Sequence, residues 1–193
     1  MSATLFTVGH STHATEHFVG LLQQHGITAV VDVRSRPYSR HNPQYNRETI
    51  AATLKQQGIA YVFLGAELGA RSENSDCYVG GKVRYEKLAA EPAFLHGLER
   101  LRRGMREYQV ALMCAEKDPL TCHRTILVAR QLRSECAIKH ILADGGIETQ
   151  AEAEARLMKL LKIDPDLARD EDQCIAEAHA LQEEKIAYVR EQA

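Results

Sequence analysis

Leu5-Phe6-Thr7-Val8-Gly9-His10-Ser11, then Phe18, Leu21, Leu22 and His25 at helical spacing, then Thr28-Ala29-Val30-Val31-Asp32 decide the fold. Residues 5–8 and 28–31 are short, apolar, β-branched runs of the kind buried on both faces of a parallel sheet. Between them the apolar positions recur every three to four residues, as on one face of a helix, and Gly26 supplies the stop. Strand, helix, strand is a βαβ unit, whose crossover is right-handed in nearly all proteins.

The same alternation continues outward. Asn46 is placed to cap a second helix with Ile50, Ala51 and Leu54 on one face, ended by Gly58. Residues 61–64 read as a third strand. Residues 65–82 form a long stretch without periodicity, expected to be a lid or substrate loop or a plain surface loop. Pro92 opens a helix carrying Phe94, Leu95, Leu98 and Leu101, and residues 110–113 are a strand. Asp118-Pro119 is a helix start, with Asp as N-cap and Pro at N1, and that helix is expected to run through Ile126, Leu127 and Leu132. Residues 138–142 are the last strand candidate before the turn Asp144-Gly145-Gly146. The expected class is α/β: a three-layer fold with a mostly parallel sheet of about five strands flanked by helices.

From Thr149 the pattern is helical throughout. Thr149 and Glu152 fit a capping box, and Leu157, Leu160 and Leu161 form an apolar stripe. A second helix over residues 171–190 would carry Cys174, Ala178, Leu181 and Tyr188 on one face. We therefore divide the chain into an α/β domain over residues 1–148, carrying the site, and a helical hairpin over 149–193 that extends the same domain. The hairpin either packs on the domain or builds a homo-oligomer contact.

Composition sets the class. The 193 residues are 45% hydrophobic and 26% charged with a net charge of −2, ordinary values for a globular protein. No overall basicity points to broad nucleic-acid binding, so any anion site must be local. The beginning of the chain lacks the basic and long apolar segments of a signal peptide, and no apolar run approaches the ~20 residues of a membrane span. The five cysteines are odd in number and contain no CxxC pair. A cytoplasmic chain with reduced thiols and no membrane association is expected.

Three reactive clusters fall where strands end: Gly9-His10-Ser11, then Asp32 with Arg34, Arg36 and Arg40, then Cys114-Ala115-Glu116. In an open parallel sheet, ligands bind outside the carboxyl ends of the strands. Cys114, beside a helix start and near His123 and Arg124, is a candidate nucleophile. His123 or His10 is a candidate proton carrier. Glu116 is either a general acid or base or the holder of an arginine such as Arg34. Arg34, Arg36, Arg40 and Arg124 are candidate anion-binding residues, because guanidinium forks match phosphate or carboxylate oxygens two at a time. Asp32 can hold one of them, and Ser11, Tyr38 and Cys122 complete the set. Cys122 is also a candidate resolving thiol for Cys114. The Cys-x5-Arg loop of cysteine phosphatases is absent, since the first arginine after Cys114 is Arg124. Each candidate has a plain alternative: buried packing cysteines, a solvated basic loop, exposed histidines at 13 and 17.

Four segments, Thr7-Val-Gly-His-Ser-Thr12, Val31-Asp-Val-Arg-Ser-Arg-Pro-Tyr-Ser-Arg40, Gly58-Ile-Ala-Tyr-Val-Phe-Leu-Gly65 and Cys114-Ala-Glu-Lys-Asp-Pro-Leu-Thr-Cys-His-Arg124, together resemble the domain-of-unknown-function family 488 (DUF488) of bacteria and archaea. The resemblance covers residues 7–124. It implies a compact α/β fold with a site around these segments and names no reaction; nothing carries over to the helical tail.

The residues point first to an enzyme, a cysteine-dependent transferase or hydrolase, acting on an anionic small molecule or nucleic-acid fragment. The arginines are interleaved with Tyr38 and Tyr45, which could stack a base. Two alternatives stay open. One is a non-catalytic nucleic-acid binding module using Arg36, Arg40, Arg47 and the Arg100, Arg102, Arg103 and Arg106 face. The other is a metal or thiol redox sensor built on Cys114, Cys122, His123 and His10, although the local spacing matches no usual zinc pattern. No cofactor is firmly implied.

Overall fold

The computed structural model describes residues 3–165 and 169–190. Five parallel strands and one antiparallel edge strand make the main sheet. They are β1 (Thr4–Gly9), β2 (Ala29–Asp32), β3 (Ala60–Phe63), β6 (Val110–Cys114), β7 (Ala137–Ile141) and β8 (Ile147–Thr149). Their order is β3-β2-β6-β1-β7-β8. The expected class is therefore observed, with one strand more than the sequence suggested. The sequence reading missed β8 because three residues, Ile-Glu-Thr, are too few to show a period; β8 pairs antiparallel with β7 across the Asp144–Gly146 turn.

The sheet is covered on both faces, and the pleat decides which residue faces which layer. Phe6, Val8, Val30, Ala111 and Met113 pack against α1 (Thr15–Gln24) and α2 (Arg47–Gln56) through Phe18, Leu22, Ile50 and Leu54. Leu5, Val31, Val110 and Leu112 face the other layer. That layer holds α5 (Pro92–Gly104), residues 122–132, and the tail helices α6 (Gln150–Leu161) and α7 (Glu171–Ile186). Steps from β1 to β2 and from β2 to β3 move one way along the sheet and place their helices on one face. The return steps place theirs on the opposite face, as right-handed crossovers require.

Several local expectations are corrected. Residues 65–82 are ordered into a short helix α3 (Gly65–Leu68), a 3-10 turn at Ser75–Cys77 and a hairpin of β4 (Tyr78–Val79) with β5 (Lys82–Val83), followed by helix α4 (Tyr85–Ala89). Asn46 precedes α2 but does not cap it; its side chain instead accepts from the Ser39 N–H at 2.7 Å, fastening the arginine loop. Asp118 does cap, accepting from the Leu120 N–H, but only a 3-10 turn follows. Cys122 has extended backbone (φ −133°, ψ 139°) and breaks the helix before it restarts as a π-helical segment, Arg124–Val128. Leu95, Leu160 and Leu181 lie in solvent rather than on their helices' packed faces. α6 buries Leu157 as expected, together with Ala153 and Met158, and α7 buries Cys174 and Ala178 as expected, together with Ile175. The Thr149–Glu152 capping box is present, and Asp170 with Gln173 forms a second one that the sequence reading missed. The tail packs on the domain. Among the described residues no helix is long and apolar enough to cross a membrane.

Candidate functional site

Strand order brings the three clusters together. β6 lies between β1 and β2, with Gly9 opposite Cys114 and Asp32 opposite Met113, so all three chains leave the sheet at one edge. Beyond the strands the His10 N–H donates to the Cys114 carbonyl and the Ser11 N–H to the Ala115 carbonyl, both at 2.9 Å. Ser11 takes a left-handed turn (φ 47°) to do so. Gly9 has no room for a side chain: a Cβ there would run into the Glu116 carbonyl.

Cys114 Sγ lies 3.6 Å from His123 Nδ1. His123 Nε2 is 2.9 Å from the Val33 carbonyl, which can only accept, so the ring proton sits on Nε2 and the Nδ1 lone pair faces the sulfur. Cys122 Sγ lies 2.9 Å from Glu116 Oε2 and accepts from the Arg124 N–H at 3.4 Å. Thus Cys114, Cys122 and His123 form one buried cluster, with the more exposed Glu116 at its edge.

The charges of this cluster are coupled. Burial, the Cys122 sulfur and Glu116 push the Cys114 thiol well above the ordinary range. Burial opposes ionisation of Cys122 too, but the Cys114 hydrogen bond, Arg124 and His123 outweigh it and hold Cys122 well below that range. Burial and Cys122 raise Glu116. His123 is raised as well, since Cys122, Glu116 and the Val33 carbonyl overcome its desolvation. Burial thus keeps Cys114 protonated beside a strengthened base.

Asp32 and Arg34 form the second part. Arg34 Nε and Nη2 donate to the two Asp32 oxygens at 2.9 and 2.7 Å, a buried bidentate pair. Tyr61 Oη also donates to Asp32, at 2.7 Å. Arg34 Nη1 donates to His10 Nε2 at 3.1 Å, while His10 Nδ1 donates to the Ser11 carbonyl at 2.8 Å. His10 stacks on Tyr45 with ring centroids 4.1 Å apart. Burial lowers the His10 pKa to about 4, so its ring is neutral.

A cleft of about 300 Å3 opens on Cys114. Its walls include Arg34, Arg36, Arg71, Glu116, His123 and Tyr188. Arg71 stacks on the Tyr188 ring, 4.2 Å from its centroid. Cys122, His10, Ser11 and Arg40 do not line this cleft. Arg40 and Tyr38 are exposed on the loop above α2, where Tyr38 Oη donates to Glu48 at 2.8 Å. Tyr45 is fully buried beneath His10, so the expectation that it stacks a base is corrected. Arg124 is fully buried as well. It donates to the Glu116 and Lys117 carbonyls at 2.8 and 3.3 Å and to Thr7 Oγ1 at 3.4 Å, so it holds the β6 loop rather than facing the cleft. Of the metal candidates, Cys114, Cys122 and His123 converge, with ligand atoms within 4.8 Å of one another, and His10 stands apart, bonded to Arg34 and Ser11.

A buried polar chain continues behind Arg124. Thr7 Oγ1 donates to His140 Nδ1 at 2.8 Å, His140 Nε2 to Gln150 Oε1 at 3.0 Å, and Gln150 Nε2 to Glu154 Oε1 at 2.8 Å. The sequence reading missed Val33, Gly9, Thr7, Arg71 and Tyr188 as site residues. Gly9 and Arg71 had a signal, the first in the Gly-His-Ser turn and the second in the aperiodic stretch 65–82. A main-chain carbonyl such as that of Val33 leaves none.

The family model described as "Domain of unknown function DUF488" matches residues 14–131. Comparison with curated proteins and with solved structures gave no match.

Proposed function

The chain belongs to the DUF488 family, and, since that name carries no reaction, we propose from its own residues that it is an enzyme for a phosphate- or carboxylate-bearing substrate with Cys114 as nucleophile. The observation that carries this reading is the Cys114–His123 contact, with Val33 fixing the ring and Arg36 and Arg71 at the mouth of the same cleft. Because burial keeps Cys114 protonated, it works as a serine does: His123 Nδ1 takes the S–H proton as sulfur attacks. The new bond joins Sγ to the electrophilic carbon or phosphorus, and the leaving group departs with the proton from His123. Transfer to water or a second acceptor then frees the sulfur. Arg36 and Arg71 bind the anionic group. Arg34, with three of its donors committed to Asp32 and His10, adds positive potential but little direct contact.

Tyr188 on the cleft wall keeps a nucleotide or nucleic-acid fragment in the substrate class, in the role that buried Tyr45 cannot fill. The non-catalytic nucleic-acid reading is less well supported, because Arg100 and Arg102 pair with Glu67 and Glu135. Five free cysteines suit a reducing compartment, which supports a cytoplasmic setting.

Alkylation by two reagents of opposite character tests the reading. Both iodoacetate and iodoacetamide transfer a carbon to sulfur with loss of iodide, but only the first is an anion. Cys114 should prefer iodoacetate by about ten-fold relative to Cys136, one unit of log rate or ~1.4 kcal/mol. Inorganic phosphate should compete, and Arg36→Ala/Arg71→Ala should erase the preference. Equal preference at Cys114 and Cys136, indifferent to phosphate, would refute the anion site.

A further inference from the structure

We propose that Cys114, Cys122 and His123 bind a thiophilic divalent cation of the zinc class, with Glu116 as fourth ligand, and that its occupancy masks the thiol. Binding stands on geometry alone; only the masking of a reactive thiol rests on the function proposed above.

Zinc accepts sulfur at about 2.3 Å and imidazole nitrogen at about 2.0–2.1 Å in a tetrahedron, which sets a sulfur–nitrogen edge of roughly 3.6 Å. The Cys114 Sγ to His123 Nδ1 distance is 3.6 Å. All three ligand atoms lie within 4.8 Å of one another, so a small inward movement closes the site. Glu116 Oε2 lies 2.9 Å from Cys122 Sγ, outside the set of three, and its side chain would swing to a sulfur–oxygen edge of roughly 3.6 Å to become the fourth ligand.

The surroundings are those of a ligand set. Metal-binding histidines commonly give their other ring N–H to a carbonyl or carboxylate, which aims the free lone pair. Val33 does this for His123. The Arg124 N–H already donates to Cys122 Sγ, the contact that supports a thiolate ligand. The Arg124 guanidinium is fully buried, and among the described residues no carboxylate pairs with it. Two thiolates, a carboxylate and a divalent ion sum to one negative charge, which would offset it. On binding, any proton still held by Cys114, Cys122 or Glu116 leaves to solvent, His123 contributes its Nδ1 lone pair, and no electron is transferred. Sequence spacing hides the site, because Cys114 ends a strand and Cys122-His123 returns from the loop that follows.

The test is cobalt titration of the full chain, prepared without a histidine tag and kept reduced. Thiolate-to-cobalt charge-transfer absorption should saturate at one ion per chain and vanish as zinc displaces cobalt. Cys122→Ser should diminish the band and weaken zinc binding by about ten-fold or more, while Cys77→Ser leaves both unchanged. Zinc should also slow alkylation of Cys114 in the wild-type chain. No saturable band in the wild type, or a band lost in Cys77→Ser and kept in Cys122→Ser, overturns the proposal. The wild-type titration needs no variant to fold. Anion-selective alkylation without a cobalt band would sink this inference and leave the enzyme reading; a band with an unselective Cys114 would do the reverse.

Discussion

The Val33 carbonyl holds His123 by Nε2 at 2.9 Å and so decides which ring nitrogen faces Cys114. One main-chain oxygen beyond β2 thereby sets the chemistry of a side chain beyond β6. His123→Ala removes the base while leaving the sulfur in place. Alkylation of Cys114 by iodoacetate should fall by about 10²-fold at pH 8, the lower end of what a positioned base contributes. An unchanged rate would mean the pair is not acting together.

Cys122 adds to burial in opposing the ionisation of Cys114. Its hydrogen bond and charge both push the Cys114 thiol up. Cys122→Ala should therefore move the pH profile of Cys114 alkylation to lower pH and raise its rate at pH 7 by roughly ten-fold, one pKa unit. Peptide mass spectrometry across a pH series reads this directly. A shift to higher pH would show that Cys122 assists rather than opposes ionisation.

The Asp32–Arg34 pair is buried, and removing one partner leaves the other charge without compensation. Arg34→Ala should cost about 3–5 kcal/mol in urea unfolding, with Arg34→Ala/Asp32→Asn recovering much of it. A loss below about 1 kcal/mol for the single variant would contradict a structural role.

Acid should unfold the protein earlier than its carboxylates alone require. Burial lowers both His10 and His140 from 6.5 to about 4. Between those values the unfolded chain binds protons that the folded chain refuses. Stability is thus fully present above pH 6.5 and falls as pH drops toward 4. The loss is on the order of 3 kcal/mol for each ring. Thermal unfolding of His140→Gln against pH should show a shallower acid limb than the wild type; parallel limbs would rule out His140 as a contributor.

Gly9→Ala should distort the site without touching a reactive atom. The added methyl would push the Glu116 carbonyl off Arg124, which donates to it at 2.8 Å. A destabilisation of about 1–3 kcal/mol is expected, together with slower Cys114 alkylation. Normal stability and reactivity would mean that the loop yields freely.

The layered architecture was legible because residues 5–8, 28–31 and 110–113 are apolar runs too short for anything but strands. Their chemistry-bearing followers then had to share an edge. Burial was harder to read. Tyr45 and Arg124 look like binding residues by type, yet both are fully enclosed, the one under His10 and the other by main-chain carbonyls. Periodicity does not say which of two apolar stripes a helix will bury, so Leu160 and Leu181 were misplaced. A break such as that at Cys122 depends on contacts distant in sequence, Gln182 donating to the Leu120 carbonyl among them.

The cleft that opens on Cys114 is walled partly by Ile186 and Tyr188, which lie beyond the stretch matched by the family. Arg156 of α6 also grips Asp118 at 3.0 Å, and the polar chain from Arg124 ends at Glu154. Relatives that share the edge chemistry but carry another ending would present the same sulfur behind a different doorway. Selectivity in such a lineage can then diverge by exchanging tails, with the reacting groups left as they are.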